Sequence, residues 1–426
     1  MSLLHRLLHL EPGQLARALP FFGLYLLLFA ALSLLDGLAL ALFVKQVGAA
    51  RLPLVSAAAA VFVCVGVGLY LAWADAVDTG TVFVAILAAP IIVLLAAWTA
   101  LAAGAARFEW LAAVFICREV AMTMVLLHFG NFLRDFFPQA ALTRVMPFIY
   151  AGGRVGGLVG GSLLQWLAAP IGPVPLLGLV IVFFVAAAAV MLVICRRCRL
   201  VVEPRHQAEG PAPASIRGFA RLVVTDPLLL WITVSTVAFF ACRTFIVFRS
   251  SGFFEQAFVD DVALSAFLGR YTQVATLVSI VVQLVFAARW IGWAGLGGAH
   301  AVYGTLLAGA ALCAALPLTL TTAVCARFVE SELRYSLRNP VAQLTVNLFP
   351  RTIRMRARAW SLGLLIPLST LLASLGIAGL QRVGLPAVIG PTTGLLGVGY
   401  LLATLRLRST LAGTGRAPSA AVRAGV

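Results

Sequence analysis

Ten ionisable residues lie inside otherwise apolar segments of this sequence. A charged side chain at the centre of a bilayer costs about 2.5–3.5 kcal/mol on the more lenient insertion scale, so each of these residues is a functional-site hypothesis. The alternative is that a given residue only pairs with a neighbour or extends its charge to an interface. The ten residues are Asp36, Arg118, Glu119, Arg154, Arg243, Arg270, Arg327, Glu330, Glu332 and Arg334.

Arginines outnumber acids in this set by six to four, which favours an anionic ligand. A guanidinium group matches phosphate and carboxylate groups with two parallel hydrogen bonds. The candidates for binding such a ligand are Arg154, Arg243 and Arg334, followed by Arg118 and Arg270. The candidates for ion pairing or proton coupling are Asp36, Glu119, Glu330, Glu332 and Arg327.

Helical spacing relates some of these residues to one another. Arg327, Arg334 and Arg338 follow at intervals of seven and four residues, which places them on one face of a helix. Glu330 lies between them on the same face. We expect this face to form either an internal ladder of ion pairs or the lining of a polar path.

Arg118 and Glu119 are neighbours in the sequence. Their side chains leave a helix about 100° apart, so we expect them to have different partners. His128 lies further along the same apolar segment. It is either a proton site or a histidine held by hydrogen bonds in the protein interior.

A stripe of glycines marks the segment 131–162. Such spacing lets another helix backbone approach closely, as in small-xxx-small membrane contacts, and suits helices that slide or rock. Arg154 lies three residues before one of these glycines, so we expect it to point toward protein rather than lipid. The glycines form two rows, Gly152, Gly156, Gly160 and Gly153, Gly157, Gly161.

Other kinds of chemistry find little support in the sequence. Ser, His and acidic residues are not grouped as a catalytic site, and no phosphate-binding loop follows a predicted strand. Cys195 and Cys198 form a CRRC pair near His206, but one such pair without a second cluster is weak support for zinc. We therefore expect neither an enzyme nor a bound metal or cofactor.

The composition is that of a membrane protein. The 426 residues are 62% hydrophobic and 11% charged, and the mean hydropathy is +1.04, far above the values of soluble domains. A span needs about 20 apolar residues, and the sequence predicts twelve helices of this kind. Their ranges are 19–44, 54–77, 80–104, 108–133, 146–170, 173–195, 227–249, 263–288, 294–316, 318–346, 358–381 and 385–405.

The net charge of +16 is spread over loops rather than gathered on a soluble domain, so it does not indicate a nucleic-acid partner. If the N-terminus is cytoplasmic, most arginines fall in cytoplasmic loops. The basic residues that then fall in loops on the other side of the membrane are Lys45, Arg51, Arg107 and Arg382. The positive-inside rule therefore predicts that both termini are cytoplasmic.

The spans divide into two predicted halves. Shifting the sequence by 212 residues lays 135–138 on 347–350 and Arg144 on Arg356, which suggests an internal repeat. The predicted regions are an N-terminal interfacial segment at 1–18 with an amphipathic helix at 3–10, a six-helix half at 19–195, a basic cytoplasmic linker at 196–225, a second six-helix half at 226–405 and a disordered cytoplasmic tail at 406–426.

Three stretches carry a family resemblance. The first is DGLA at 36–39 with GAARLP at 48–53, the second is RVMPF at 144–148 before Gly152, and the third is RYSL at 334–337 with Pro340 and the basic run 354–358. Twelve spans in two halves with a basic central linker resemble the major facilitator superfamily, and these three stretches narrow the resemblance to its branch of nucleotide (ATP/ADP) translocases and their bacterial relatives. The chain differs from that branch at Leu35, Ala342 and Gln343, where the nucleotide carriers have charged residues.

The resemblance implies an all-α polytopic protein with about twelve transmembrane helices in two six-helix pseudo-repeats. It also implies a secondary transporter that works by alternating access in a bacterial inner membrane. We expect the partners to be the lipid bilayer, a small anionic solute such as a nucleotide or a phosphorylated or carboxylated metabolite, and a coupled proton or counter-substrate. The alternative is a degenerate facilitator fold that acts as a receptor or assembly partner without transport.

Overall fold

The computed structural model describes residues 14–73, 76–105, 107–198, 216–349 and 351–413. Within these ranges every regular element is helical. The predicted amphipathic helix at 3–10, His206, most of the predicted linker and the end of the predicted tail lie outside the described residues.

The first of two compact units comprises Met1–Ala49, Val65–Gln207 and Phe258–Thr276. Its helices are α1 (Gln14–Gln46), α2 (Leu52–Trp73), α3 (Thr79–Ala102), α4 (Arg107–Arg134), α5 (Gln139–Ile171), α6 (Pro173–Arg197) and α9 (Asp261–Val281). Of α2 this unit contains only the second part, and of α9 only the first part.

The second unit comprises Ala50–Cys64, Ala208–Ala257 and Leu277–Val426. Besides the remaining parts of α2 and α9 it contains three π-helical turns, Val282–Ala287, Arg334–Arg338 and Ser361–Leu365. Its own helices are α7 (Ile216–Thr225), α8 (Pro227–Ala257), α10 (Ala288–Ala315), α11 (Leu320–Glu330), α12 (Asn339–Val346), α13 (Arg351–Trp360), α14 (Ile366–Arg382) and α15 (Ile389–Gly413).

Two region boundaries differ from the predicted ones. Helix α7 lies inside the predicted linker, and α15 continues to Gly413, past the predicted start of the tail at 406. The two six-helix halves at 19–195 and 226–405 stay a prediction, because compactness alone does not define a repeat.

Ten helices in the described ranges are long and apolar enough to cross a membrane, which confirms the all-α polytopic fold. The predicted spans at 146–170 and 318–346 are not among them. The first lies in α5, whose 33 residues are diluted by glycines and by Arg144 and Arg154. The second is divided into α11 and α12, of 11 and 8 residues, by the π-helical turn Arg334–Arg338.

Helix α1 is the central helix of the first unit. It is apolar around most of its circumference, as expected for a helix surrounded by protein. Leu24, Leu28, Leu35 and Leu38 are fully buried. The helix packs most extensively against α5, and also against α6 and α4.

The glycines of α5 allow this packing. A Cβ atom at Gly152 would lie 2.5 Å from the Phe22 carbonyl oxygen, and one at Gly160 would lie 2.5 Å from the Ala30 carbonyl oxygen. Between them, a Cβ at Gly156 would clash with a carbonyl of α1. The two backbones are therefore in direct contact along this row.

The second glycine row of α5 faces other side chains of the same unit. A Cβ at Gly153 would lie 2.6 Å from the Tyr25 ring, whereas Gly157 has Thr276 of α9 at an ordinary distance. At Gly161 the added atom would lie 3.0 Å from the Gly269 carbonyl oxygen. The α5 stripe thus serves contacts with both α1 and α9.

The second unit is built around aromatic residues. Phe239 of α8, Tyr303 of α10 and Tyr400 of α15 pack together with ring centroids 5.7 to 6.1 Å apart. Helix α10 bends at Gly295, whose φ of 67° and ψ of 176° are not helical. Glycine adopts this conformation readily because it has no Cβ atom.

Candidate functional site

The first unit contains an ion cluster with more acids than bases. Arg118 of α4 is buried, and its Nη1 donates to Asp36 Oδ1 of α1 at 2.9 Å. Its Nη2 donates to Glu119 Oε1. Because the Asp36 side chain is 50% exposed, this cluster reaches the surface of the unit.

The pairing of Arg118 with Glu119 corrects the expectation that these neighbours have different partners. The arginine side chain is long enough to fold back along its own helix despite the 100° between the two Cβ directions. Its guanidinium group stacks over Phe115, one turn earlier, at 4.3 Å from the ring centroid. Arg118 therefore binds both acids at once.

The second unit contains an ion cluster with more bases than acids. Glu330 of α11 has no exposed surface. Its Oε2 lies 2.9 Å from Arg243 Nε of α8, and its Oε1 lies 3.0 Å from Arg327 Nη1, one helical turn earlier. A single buried carboxylate is thus held between two guanidinium groups.

The predicted ladder ends at Glu330. Arg334 does not reach this carboxylate; its Nη2 donates to the Tyr335 hydroxyl at 2.8 Å, and its guanidinium group lies over the Tyr335 ring. The physical reason is that helix α11 ends at Glu330 and Ser331 lies in a turn, so Arg334 does not follow Glu330 on one continuous helix. The π-helical turn Arg334–Arg338 then adds a residue, so the four-residue spacing from Arg334 to Arg338 no longer returns to the same face.

Arg338 is diverted into a different environment. Only 8% exposed, it stacks over Phe239 at 4.0 Å and lies 5.6 Å from the Phe240 centroid. It lines a small cavity together with His300 of α10 and Tyr400 of α15. The helical spacing of Arg338 signalled an inward position, but nothing in the sequence connected it with His300 or Tyr400.

The remaining candidates occupy less enclosed positions. Arg154 is half-buried on α5, and Glu332 and Arg334 are half-buried in the second unit. Arg270 is exposed on α9, and its role in binding stays a prediction.

His128 is held by hydrogen bonds inside the first unit. Its Nε2 lies 2.9 Å from the Thr79 carbonyl oxygen, and its Nδ1 lies 3.3 Å from the Tyr70 hydroxyl. Asn131 donates to the same hydroxyl at 2.8 Å. Because both ring nitrogens have partners, this geometry favours a histidine held by hydrogen bonds over a proton site.

Comparisons with known proteins agree on the fold. No protein-family model and no curated protein matches the sequence. Several solved structures do. The nucleoside transporter NupG superposes with a TM-score of 0.64 at 12% identity, covering 91% of this chain and 98% of the other.

Two further structures match over similar lengths. A bacterial homologue of the iron transporter ferroportin, in an inward-facing state, gives a TM-score of 0.63 at 16% identity, covering 93% of this chain and 100% of the other. An autoinhibited peptide transporter of the POT family gives 0.65 at 13% identity, covering 96% and 98%. At these identities the likeness concerns the fold alone. The chain therefore has the major facilitator-like fold that its sequence led us to expect.

Proposed function

We propose that this protein is a secondary transporter that moves a small anionic solute by alternating access. The fold supports this proposal, because the matched structures are a nucleoside transporter, a bacterial homologue of an iron transporter and a peptide transporter. A major facilitator-like fold hosts many substrates, so the substrate class must be argued from the side chains.

The observation that carries the proposal is the cluster of Glu330 with Arg243 and Arg327. Burying three charges inside a membrane bundle costs free energy, and apolar residues of similar volume would stabilise the bundle as well. A purely structural role therefore does not require these charges. Two guanidinium groups share one carboxylate here. Guanidinium groups are also the side chains that bind phosphate and carboxylate groups with two parallel hydrogen bonds, which is why we propose an anionic solute.

The cluster of Asp36, Arg118 and Glu119 has the opposite balance, with two acids on one arginine. Asp36 is half-exposed and Glu119 is partly exposed. We therefore assign this cluster to coupling, through a proton or through the exchange of a counter-substrate. Arg118 itself has two carboxylate partners, which makes it a weaker candidate for binding the solute.

Among the solute-binding candidates, Arg243 and Arg334 lie in the second unit and Arg154 in the first. We propose nucleotides and phosphorylated or carboxylated metabolites as the solutes to test, in line with the resemblance to the ATP/ADP translocase-like branch. The same proposal includes a bacterial inner membrane location with both termini in the cytoplasm.

The test begins with a ligand screen. Nucleotides, sugar phosphates and organic acids are added to purified protein, and a ligand that binds the native state raises its unfolding temperature. Each stabilising ligand is then offered in radiolabelled form to proteoliposomes without ATP. We expect uptake by wild type and its loss in the Arg154→Ala, Arg243→Ala and Arg334→Ala variants. Unchanged uptake by all three variants would remove the site assignment, and binding without any uptake would favour a receptor.

A further inference from the structure

We propose that the cavity beside Arg338 in the second unit is a binding site for a small inorganic anion of the size of chloride. This site is separate from the Arg243–Glu330–Arg327 cluster. The inference concerns binding, and it stands whether or not the chain is a transporter.

The first argument is the charge of Arg338. Arginine stays protonated in proteins, and this side chain is more than nine-tenths buried. Its guanidinium group lies 4.0 Å from the Phe239 ring centroid and 5.6 Å from that of Phe240. In the part of the chain that the structure describes, no carboxylate pairs with it. A buried charge without a counter-charge is strongly unfavourable, so a mobile anion is the natural partner.

The second argument is that the fully buried acid of this unit, Glu330, is already used. Glu330 lies eight residues earlier in the chain and is bound by Arg243 and Arg327. These four residues hold three positive charges and one negative charge. Arg338 therefore competes for Glu330 with two arginines that are in direct contact with it.

The third argument is the set of hydrogen-bond donors around the cavity. The Thr345 hydroxyl donates to the Val341 carbonyl at 2.8 Å, so it must accept from His300 Nε2 at 2.9 Å. The Nε2 proton of His300 is therefore used by Thr345 and is not available to an anion.

Two other hydroxyls at the cavity, those of Ser235 and Thr236, donate to the Ile232 carbonyl. Tyr400 lines the same cavity, and its hydroxyl group can donate to an anion. The donors that remain for an anion are therefore the Arg338 guanidinium group and the Tyr400 hydroxyl.

The size of the cavity selects the class of anion. Its volume is about 20 Å³, little more than the roughly 10–15 Å³ that a single water molecule needs. A nucleotide does not fit. Chloride fits, and acetate and phosphate are the other small anions with the same charge preference.

The experiment measures anion binding by thermal unfolding of the full chain. The protein is purified in sodium gluconate, and chloride, acetate or phosphate then replaces gluconate at constant ionic strength. We expect chloride to raise the unfolding temperature of wild type in a saturable manner. We expect Arg338→Met, which keeps an unbranched chain between the two phenylalanines, to lose this response. Arg249→Met removes an arginine of the same unit that donates to the Leu316 carbonyl, and it should respond like wild type.

Tyr400→Phe provides a second variant that removes only the hydroxyl. It should weaken chloride binding by about tenfold or more, as expected for the loss of a hydrogen bond to a charged group. If Arg338→Met does not fold, bromide-soaked crystals of wild type give the answer, since an anomalous peak is expected beside Arg338. The proposal would be overturned if all anions raised the unfolding temperature equally, or if acetate or phosphate raised it more than chloride. A bromide peak elsewhere in the crystal would also overturn it.

Discussion

Glu330 is the residue on which most of the proposed chemistry rests. It is fully buried and touches guanidinium groups from two helices, α8 and α11. Removing its charge leaves Arg243 and Arg327 facing each other without a carboxylate. Breaking a buried ion pair in this way typically costs about 3–5 kcal/mol.

We therefore predict that Glu330→Gln lowers the unfolding temperature strongly and abolishes solute binding. Glu109→Gln at the start of α4 is the matched control, because Glu109 is exposed and the same substitution should have little effect there. Adding Arg243→Gln to Glu330→Gln should restore part of the stability, since it removes one of the unpaired charges. A Glu330→Gln variant as stable as wild type would mean that the cluster is not an energetically coupled unit.

Glu119 provides the second prediction at the level of single residues. Glu119→Gln leaves the Asp36–Arg118 ion pair, in which Oδ1 and Nη1 lie 2.9 Å apart. It removes one of the two acids assigned to coupling. We predict that this variant still exchanges solute across proteoliposomes but no longer accumulates it under an imposed pH gradient. Accumulation equal to that of wild type would assign coupling to another group.

The sequence predicted only part of these clusters. The spacing from Arg327 to Glu330 indicates one helical turn, so that pair was accessible to pattern analysis. Arg243 lies 87 residues before Glu330 in the chain, and only the packing of α8 on α11 brings the two together. Neither the turn at Ser331 nor the π-helical turn at 334–338 has a sequence signal that we recognised; the first separates Arg334 from Glu330, and the second redirects Arg338.

At the scale of elements, the contact of α5 with α1 depends on missing side chains. A Cβ at Gly160 meets the Ala30 carbonyl at 2.5 Å, and neither backbone can yield without separating the helices. We predict that Gly160→Ala destabilises the protein by about 1–3 kcal/mol, the usual cost of overpacking. Thermal unfolding in detergent measures this change.

Gly23→Ala is the control for that substitution. It lies on α1, and a Cβ there meets nothing within 4 Å. In a helix the change from glycine to alanine should stabilise by about 1 kcal/mol or less. If Gly160→Ala and Gly23→Ala had the same effect, close approach would not be what α5 requires.

Asp78 caps the N-terminus of α3 and lies outside the predicted membrane spans. Its carboxylate accepts from the Thr81 backbone N–H at 2.7 Å and from the Thr81 hydroxyl at 2.5 Å, and these hydrogen bonds lower the pKa of Asp78 below its ordinary value. We predict that Asp78→Ala costs about 1 kcal/mol, as is usual for loss of an N-cap.

The cap also makes a pH-dependent contribution with a defined sign. Because the folded-state pKa of Asp78 is lowered, its stabilisation is fully present above the ordinary pKa of aspartate and is lost as the pH falls through the lowered value. Asp78→Asn keeps a capping oxygen without this titration. Unfolding curves of wild type and Asp78→Asn should therefore converge in acid, and parallel curves would contradict the role of the charge.

At the scale of the whole molecule, composition and apolar length sufficed to predict an all-α polytopic fold. Charge and backbone irregularity explain why two of the twelve predicted spans are not single long apolar helices: arginines and glycines dilute α5, and a π-helical turn divides α11 from α12. The pattern of spans in the sequence led to the major facilitator-like fold. The substrate depends on a few side chains that fold similarity at 12 to 16% identity does not identify.

The most direct test of the central proposal is counterflow exchange in proteoliposomes. Vesicles are loaded with an excess of an unlabelled anion from the ligand screen and diluted into a trace of the same anion in labelled form, with no ATP and no ion gradient. We predict a transient accumulation of label above equilibrium, because each outward passage of unlabelled solute returns the binding site to the outside. Glu330→Gln vesicles should show none. A wild-type protein that binds the anion but gives no accumulation above empty vesicles would contradict alternating-access transport.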